Sequence, residues 1–233
     1  MKIVDLSVEL AHKMPRYPSA YLPETQLTTA ASHEKDGRHA QILICGTHVS
    51  THLDAQLHAY PGGTTIDQIG LDLLIGPARV IRIAGKDKDH PISADDLKKF
   101  QGLESEERLL LDTGWLEKTW GGQDYFTEGP YLTPDAAHFI AALPKLKLLA
   151  MDFPNIDATK DMVVGKAAPN HSIIMKRPIY LLENLNNVSQ LAERFLLICM
   201  PPKLTGGDGC PCRVAGLFPL NDVSAWLAKS GAQ

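Results

Sequence analysis

The sequence predicts an α/β fold in one compact domain spanning residues 1–233. Three observations carry the prediction. Short apolar runs of strand length alternate with short capped or amphipathic segments. No internal repeat, low-complexity tract or linker divides the chain. Its 233 residues fill one well-packed core and are short for two.

The elements follow in order. Ile3 to Leu10 alternates apolar and polar residues like a first strand. Met14 to Pro23, rich in proline and aromatics, cannot be a regular helix or central strand and reads as an ordered loop. Gln41 to Cys45 is a short apolar strand, and Pro61-Gly62-Gly63 breaks the chain further on. Ile66 to Leu74 has helical spacing, Ala78 to Ile83 is a strand, and Ser93 is an N-cap for a helix through Phe100. Arg108 to Leu111 is a buried strand ending in Asp112-Thr113-Gly114-Trp115. Thr133-Pro134-Asp135 opens a helix through Leu143, with proline at the first turn, where its missing N–H is harmless. Leu146 to Met151 is a strand ending in Asp152, and Asn170-His171 begins a short helix. Pro178 to Leu182 is a strand running into Glu183, Phe195 to Met200 is another, and Asn221 caps a terminal helix through Lys229.

Composition excludes several classes of function. Net charge is −4 with histidines neutral, so no basic surface announces nucleic acid or an anionic membrane. No apolar run approaches the ~18 to 20 residues that span a bilayer. Asp5 stands where a signal peptide would have its apolar core, and a cytoplasmic location is expected. Cys45 and Cys199 sit in apolar runs as small buried hydrophobes. Cys210-Pro211-Cys212 matches neither a redox CxxC nor a zinc ribbon.

The chemistry concentrates in Gly46 to His58, where His48, His52, Asp54 and His58 bring imidazole and carboxylate, the ligands of zinc or manganese, into eleven residues. A helix through this stretch is disfavoured, because Gly46, Thr47, Val49, Ser50 and Thr51 are poor helix formers. An extended segment places His48, His52, Asp54 and His58 on one face. A straight strand would nevertheless spread His48 and His58 over roughly 33 Å, whereas ligands lie ~2.1 Å from a metal. The segment therefore curls near Ser50-Thr51. His48, His52 and Asp54 are expected to converge on one metal, and His58, close by without ligating, suits a general base. His171, at a helix start, and Glu183, ending an apolar strand, are the best candidates for a second metal position, with Asp54 bridging. A solvated polar loop, a helix-start histidine and a paired structural carboxylate are the bland alternatives for the cluster, His171 and Glu183. Asp152 and Asp157 read as loop caps. Gly206-Gly207-Asp208-Gly209 precedes no helix, which argues against a phosphate cradle.

These residues resemble the metal-dependent cyclase/hydrolase family that includes bacterial kynurenine formamidase and isatin hydrolase. Its signature, H-x-G-T-H-x-D-x-P-x-H, is represented by His48 to His58, with Ser50 for the glycine and Gln56 for the proline. The likeness extends through Asp5-Leu6-Ser7, Tyr17-Pro18, Gly76-Pro77-Ala78, Leu111 to Trp115, Asn155-Ile156-Asp157, His171 with Glu183-Asn184-Leu185, and Arg213-Val214-Ala215. It implies a mixed, barrel-like curled sheet flanked by short helices, and usually an oligomer, a homodimer or homotetramer. It implies His48, His52 and Asp54 at a first metal, Asp54, His171 and Glu183 at a second in binuclear members, and His58 as proton donor and acceptor. Tyr17 falls where formamidases carry a tryptophan that packs on the aromatic substrate. Gln56 is expected to loosen the turn before His58 and to add an amide to the pocket.

The expected function is hydrolysis of a C–N amide bond in a small molecule, arylformamidase-like, by water activated at one or two zinc or manganese ions. Opening of a cyclic amide, imide or lactone is the alternative chemistry. A non-catalytic metal-binding protein on the same scaffold is the alternative from another class.

Overall fold

The computed structural model describes residues 1–85, 88–122, 124–159 and 168–230. Thirteen strands are found among them: β1 (Lys2–Asp5), β2 (Gln26–Ala31), β3 (Ala40–Ile44), β4 (His52–Asp54), β5 (Ile75–Arg82), β6 (Pro91–Ile92), β7 (Arg108–Asp112), β8 (Tyr131–Leu132), β9 (Leu148–Met151), β10 (Tyr180–Glu183), β11 (Arg194–Met200), β12 (Gly209–Pro211) and β13 (Arg213–Phe218). Nine form one mixed sheet in the order β1-β13-β11-β5-β7-β9-β10-β4-β12. β5, β7, β9 and β10 run parallel at its centre, and the strands outside them pair antiparallel.

Parallel strands are buried on both faces, which is why the central runs read as continuous hydrophobics. Ile81, Leu109, Leu111, Leu149, Met151 and Leu181 point into one core, under the Pro134–Ala142 and Pro169–Met175 helices. Val80, Leu110, Leu148, Ala150 and Leu182 point into the other. That second core also holds Val4 of β1, Leu53 of β4 and Cys210 of β12. Strands from the two ends of the sheet thus share one core, as the expected curled, barrel-like sheet requires.

Several elements differ from expectation for local reasons. The Ile66 to Leu74 segment splits into a 3-10 turn (Ile66–Gln68), closed by a Thr65–Gln68 capping box, and a helix at Leu71–Leu74. Asn221 lies inside the terminal helix, which begins at Leu220. β2 escapes the pattern because its side chains are largely exposed on both faces, leaving no alternation to read. β12 is hidden by the glycine, cysteine and proline of Gly209 to Pro211. β2 and β3 stand apart as a hairpin, and Ile42, Leu43 and Ile44 of β3 are all exposed.

Candidate metal centre

The site lies at the carboxyl ends of the central parallel strands, where open α/β sheets commonly place ligands. After β3 the chain turns at Ser50, whose φ is +60°. This is the left-handed region that glycine adopts most readily, which accounts for the glycine in the family signature. Three hydrogen bonds fasten the curl. Ser50 Oγ donates to the Val8 carbonyl (2.7 Å), Val8 N–H donates to Thr51 Oγ1 (2.8 Å), and Thr51 Oγ1 donates to the Asn184 carbonyl (2.6 Å). β4 then pairs antiparallel with β10, setting His52 opposite Glu183 and Asp54 opposite Leu181. Side chains alternate, so Leu53 enters the second core while His52 and Asp54 face the helices. The Pro169–Met175 helix carries His171 to the same place.

Three donors converge there, His52, Asp54 and Glu183, with His171 beside them. His52 Nε2 lies 3.4 Å from Asp54 Oδ1 and 3.5 Å from Glu183 Oε2. His171 Nε2 lies 3.9 Å from Asp54 Oδ2 and 3.9 Å from Glu183 Oε1. Ligands ~2.1 Å from a tetrahedral ion are separated by ~3.4 Å. The opposite ring nitrogens are held from behind. His52 Nδ1 donates to the Ser50 carbonyl (3.0 Å), and His171 Nδ1 donates to Asp157 Oδ2 (2.7 Å). Both Nε2 lone pairs therefore face the carboxylates, the arrangement that second-sphere partners impose on metal-binding histidines. Asn184 steadies this shell by donating to the Ser50 carbonyl (2.8 Å) and accepting from the Tyr125 hydroxyl (2.6 Å).

The electrostatics also fit a cation. Burial and then the Asp54 charge push the Glu183 carboxyl well above its usual pKa, and Glu183 Oε1 is buried with no hydrogen-bond partner among the described residues. Burial pushes His52 down to about 4, keeping it in the neutral, ligating form. Burial alone would raise Asp54, but His48, His52 and His58 outweigh it and hold the carboxylate below its usual range. A divalent ion would supply the charge that these carboxylates lack.

His48 and His58 sit nearer solvent. His48 Nδ1 is 2.7 Å from Asp54 Oδ1, and its Nε2 is 2.9 Å from Asp208 Oδ2. Burial disfavours its charge, but Asp54 and Asp208 prevail and push it up to about 10. The His58 ring lies 4.0 Å from that of His48. Two groups could accept an ion, His52–Asp54–Glu183 and His48–Asp54–His58, and Asp54 belongs to both. The sequence reading divided the residues otherwise, setting His48 with His52 and leaving His58 outside.

A pocket opens over the cluster, lined on its apolar side by Tyr17, Tyr21, Leu22, Phe126 and Pro154. Tyr17 meets Phe126 edge to face at 6.5 Å. Gln56 does not line it, which corrects the expectation of an added amide. Its Nε2 donates to the carbonyls of Met175 (2.9 Å) and Arg177 (3.1 Å), and its Oε1 accepts from Thr64 (2.8 Å). The side chain thus tightens the turn before His58 against the end of the helix that bears His171.

Two residues gain parts that sequence reasoning missed. Asp157 caps the helix start through Asn170 N–H (2.9 Å) and His171 N–H (3.2 Å), as a loop cap should, and also holds the His171 ring. Asp208 joins the cluster from a glycine-rich loop, and the one available signal was a lone carboxylate between glycines. Cys210 and Cys212 are unbonded, and Cys212 Sγ instead lies 3.6 Å from Cys199 Sγ.

The Cyclase family model, described as "Putative cyclase", matches residues 4–158. The chain is 28% identical over 213 residues to a kynurenine formamidase of Geobacillus thermodenitrificans (strain NG80-2), covering 91% of this chain and 95% of that one. It is 30% identical over 171 residues to a kynurenine formamidase of Bacillus mycoides (strain KBAB4), covering 73% and 76%. Its fold matches that of isatin hydrolase A from Ralstonia solanacearum with a TM-score of 0.79, at 23% identity over 94% of this chain and 92% of that one.

Proposed function

The chain belongs to the Cyclase family, and from that premise we propose that it is a metal-dependent hydrolase of a carbon–nitrogen amide bond, acting on an N-formyl aromatic amine such as formylkynurenine. One observation carries the reading: His52, Asp54 and Glu183 converge with His171 beside them, the tautomers of both histidines are set from behind, and Glu183 Oε1 has no hydrogen-bond partner among the described residues. The kynurenine formamidase relatives support the substrate class.

His52, Asp54, His171 and Glu183 would hold the inner ion, and His48 would complete the set on the outer side of Asp54, with zinc or manganese as the metal and one or two ions per subunit. When bound, a divalent ion polarises the amide carbonyl and lowers the pKa of water from ~15.7 toward ~7. Tyr17, Phe126 and Leu22 receive the aromatic ring and direct the amide toward the histidines. Their apolar surface excludes bulk water from that side. His58 takes the proton of the attacking water on its pocket-facing nitrogen and returns it to the leaving nitrogen. The products are formate and the free amine.

We read residues 1–233 as one hydrolase domain. We also propose a cytoplasmic setting, in which thiols such as those of Cys199 and Cys212, 3.6 Å apart, stay reduced. No helix of the described residues is long and apolar enough to cross a membrane. The exposed run Ile42-Leu43-Ile44 on the hairpin supports a homodimer or homotetramer. Replacing all three by serine should shift light-scattering mass toward the monomer, and an unchanged mass would refute the hairpin's part.

The test of function is His58→Ala assayed with elemental analysis. Metal content should persist while turnover falls by about 10² or more. Normal turnover would remove His58 from the mechanism. A panel of N-formyl aromatic amines and isatin-like rings separates deformylation from ring opening. Metal-loaded protein inert on the whole panel would favour a binding protein.

A further inference from the structure

We propose that Asp208 is a positioning residue for His58, holding its Nδ1 so that Nε2 is the nitrogen presented to the pocket. The inference rests on the reading of His58 as the proton-transfer group.

Asp208 lies far along the chain from His58, in Gly206-Gly207-Asp208-Gly209, and the loop is fastened on every side. Gly206 N–H donates to Asp67 Oδ1 (3.0 Å), Ile66 N–H to the Gly207 carbonyl (2.9 Å), and Ala55 N–H to the Asp208 carbonyl (2.9 Å). Gly209 pairs with Asp54 across β12 and β4. A Cβ at Gly209 would fall 2.5 Å from His48 Cε1, so only glycine lets the loop approach that ring. The carboxylate is fixed too. Oδ1 accepts from Thr47 Oγ1 (3.0 Å), while Oδ2 faces His48 Nε2 at 2.9 Å and His58 Nδ1 at 3.5 Å.

An imidazole that must move a proton at one nitrogen works best when the other is committed to an acceptor, because the partner selects tautomer and ring orientation together. His58 ends a 3-10 turn and is the most exposed histidine of the cluster. Among the described residues, Asp208 is the one carboxylate within ion-pair distance of its ring.

The experiment uses the full chain loaded with zinc, compared as wild type, Asp208→Asn, His58→Ala and the double variant. Asp208→Asn should lower kcat by about 10²-fold with KM and zinc content unchanged. In the His58→Ala background it should cost nothing further, since it acts through the missing ring. Independently of turnover, ring ¹⁵N spectra should place the His58 proton on Nδ1 in the wild type and move it to Nε2 in Asp208→Asn. Multiplicative losses, a His58 tautomer indifferent to Asp208→Asn, or loss of zinc in that variant would overturn the proposal, the last by assigning Asp208 to His48. If every form is inert, the reading of function falls while the spectra still decide the role of Asp208.

Discussion

The inner and outer halves of the histidine cluster are built from the same residue types and differ in how they are held. The inner half, His52, Asp54, His171 and Glu183, stands on two paired strands and a helix. It is buried, and both imidazoles are tied from behind by a carbonyl or a carboxylate. The outer half, His48, His58 and Asp208, stands on a bend, a 3-10 turn and a glycine-rich loop, and its members mainly hold one another. The inner half resists distortion and repels its own negative charge, which suits a bound cation. The outer half reaches solvent and can exchange protons. The difference teaches that ligand and proton-transfer roles follow from what stands behind a side chain as much as from the side chain itself.

Breaking the two halves in parallel has the largest expected effect. His52→Ala should weaken metal binding by on the order of 10² or more, and His48→Ala should weaken it less, as read by calorimetric titration. Equal losses would erase the distinction. Glu183→Gln comes next and should act with opposite signs on the two forms. The metal-loaded protein loses affinity by about 10- to 100-fold, while the metal-free protein above the ordinary glutamate range gains about 1 kcal/mol or more, because the buried amide carries no charge beside Asp54. The pH dependence follows from the raised Glu183 pKa. Metal-free wild type should lose stability as pH rises from the ordinary glutamate range through the folded-state pKa, and Glu183→Gln should remove that slope. Thermal melts of chelator-treated protein across pH measure it. Gln56→Ala should be smallest, about 1–2 kcal/mol of stability from the lost bonds to Met175 and Arg177, with metal content retained. A larger loss of turnover than of stability would show that the two halves are coupled through this side chain.

Much of the site could be read along the chain because its ligands are crowded into one segment. Length arithmetic required a curl near Ser50, and a left-handed Ser50 supplies it. His171 and Glu183 were legible as a helix start and a strand end, positions where such side chains invite explanation. Asp208 was not, since a single carboxylate between glycines resembles any surface turn. Gln56 was legible as a departure from the signature, but its direction was not. An amide beside a catalytic histidine can face the pocket or the scaffold, and here the carbonyls of Met175 and Arg177, at and just past the end of the Pro169–Met175 helix, decide for the scaffold.

The sequence by itself determined the α/β alternation, the buried central strands and the chemical identity of the cluster, because strand burial and ligand type are local properties of short segments. Only the tertiary structure decided which donor faces which. The register of β4 against β10 sets His52 opposite Glu183, and the closure of a distant loop over β4 brings Asp208 to His48 and His58. Both are contacts between segments separated by more than a hundred residues, and no local propensity encodes them.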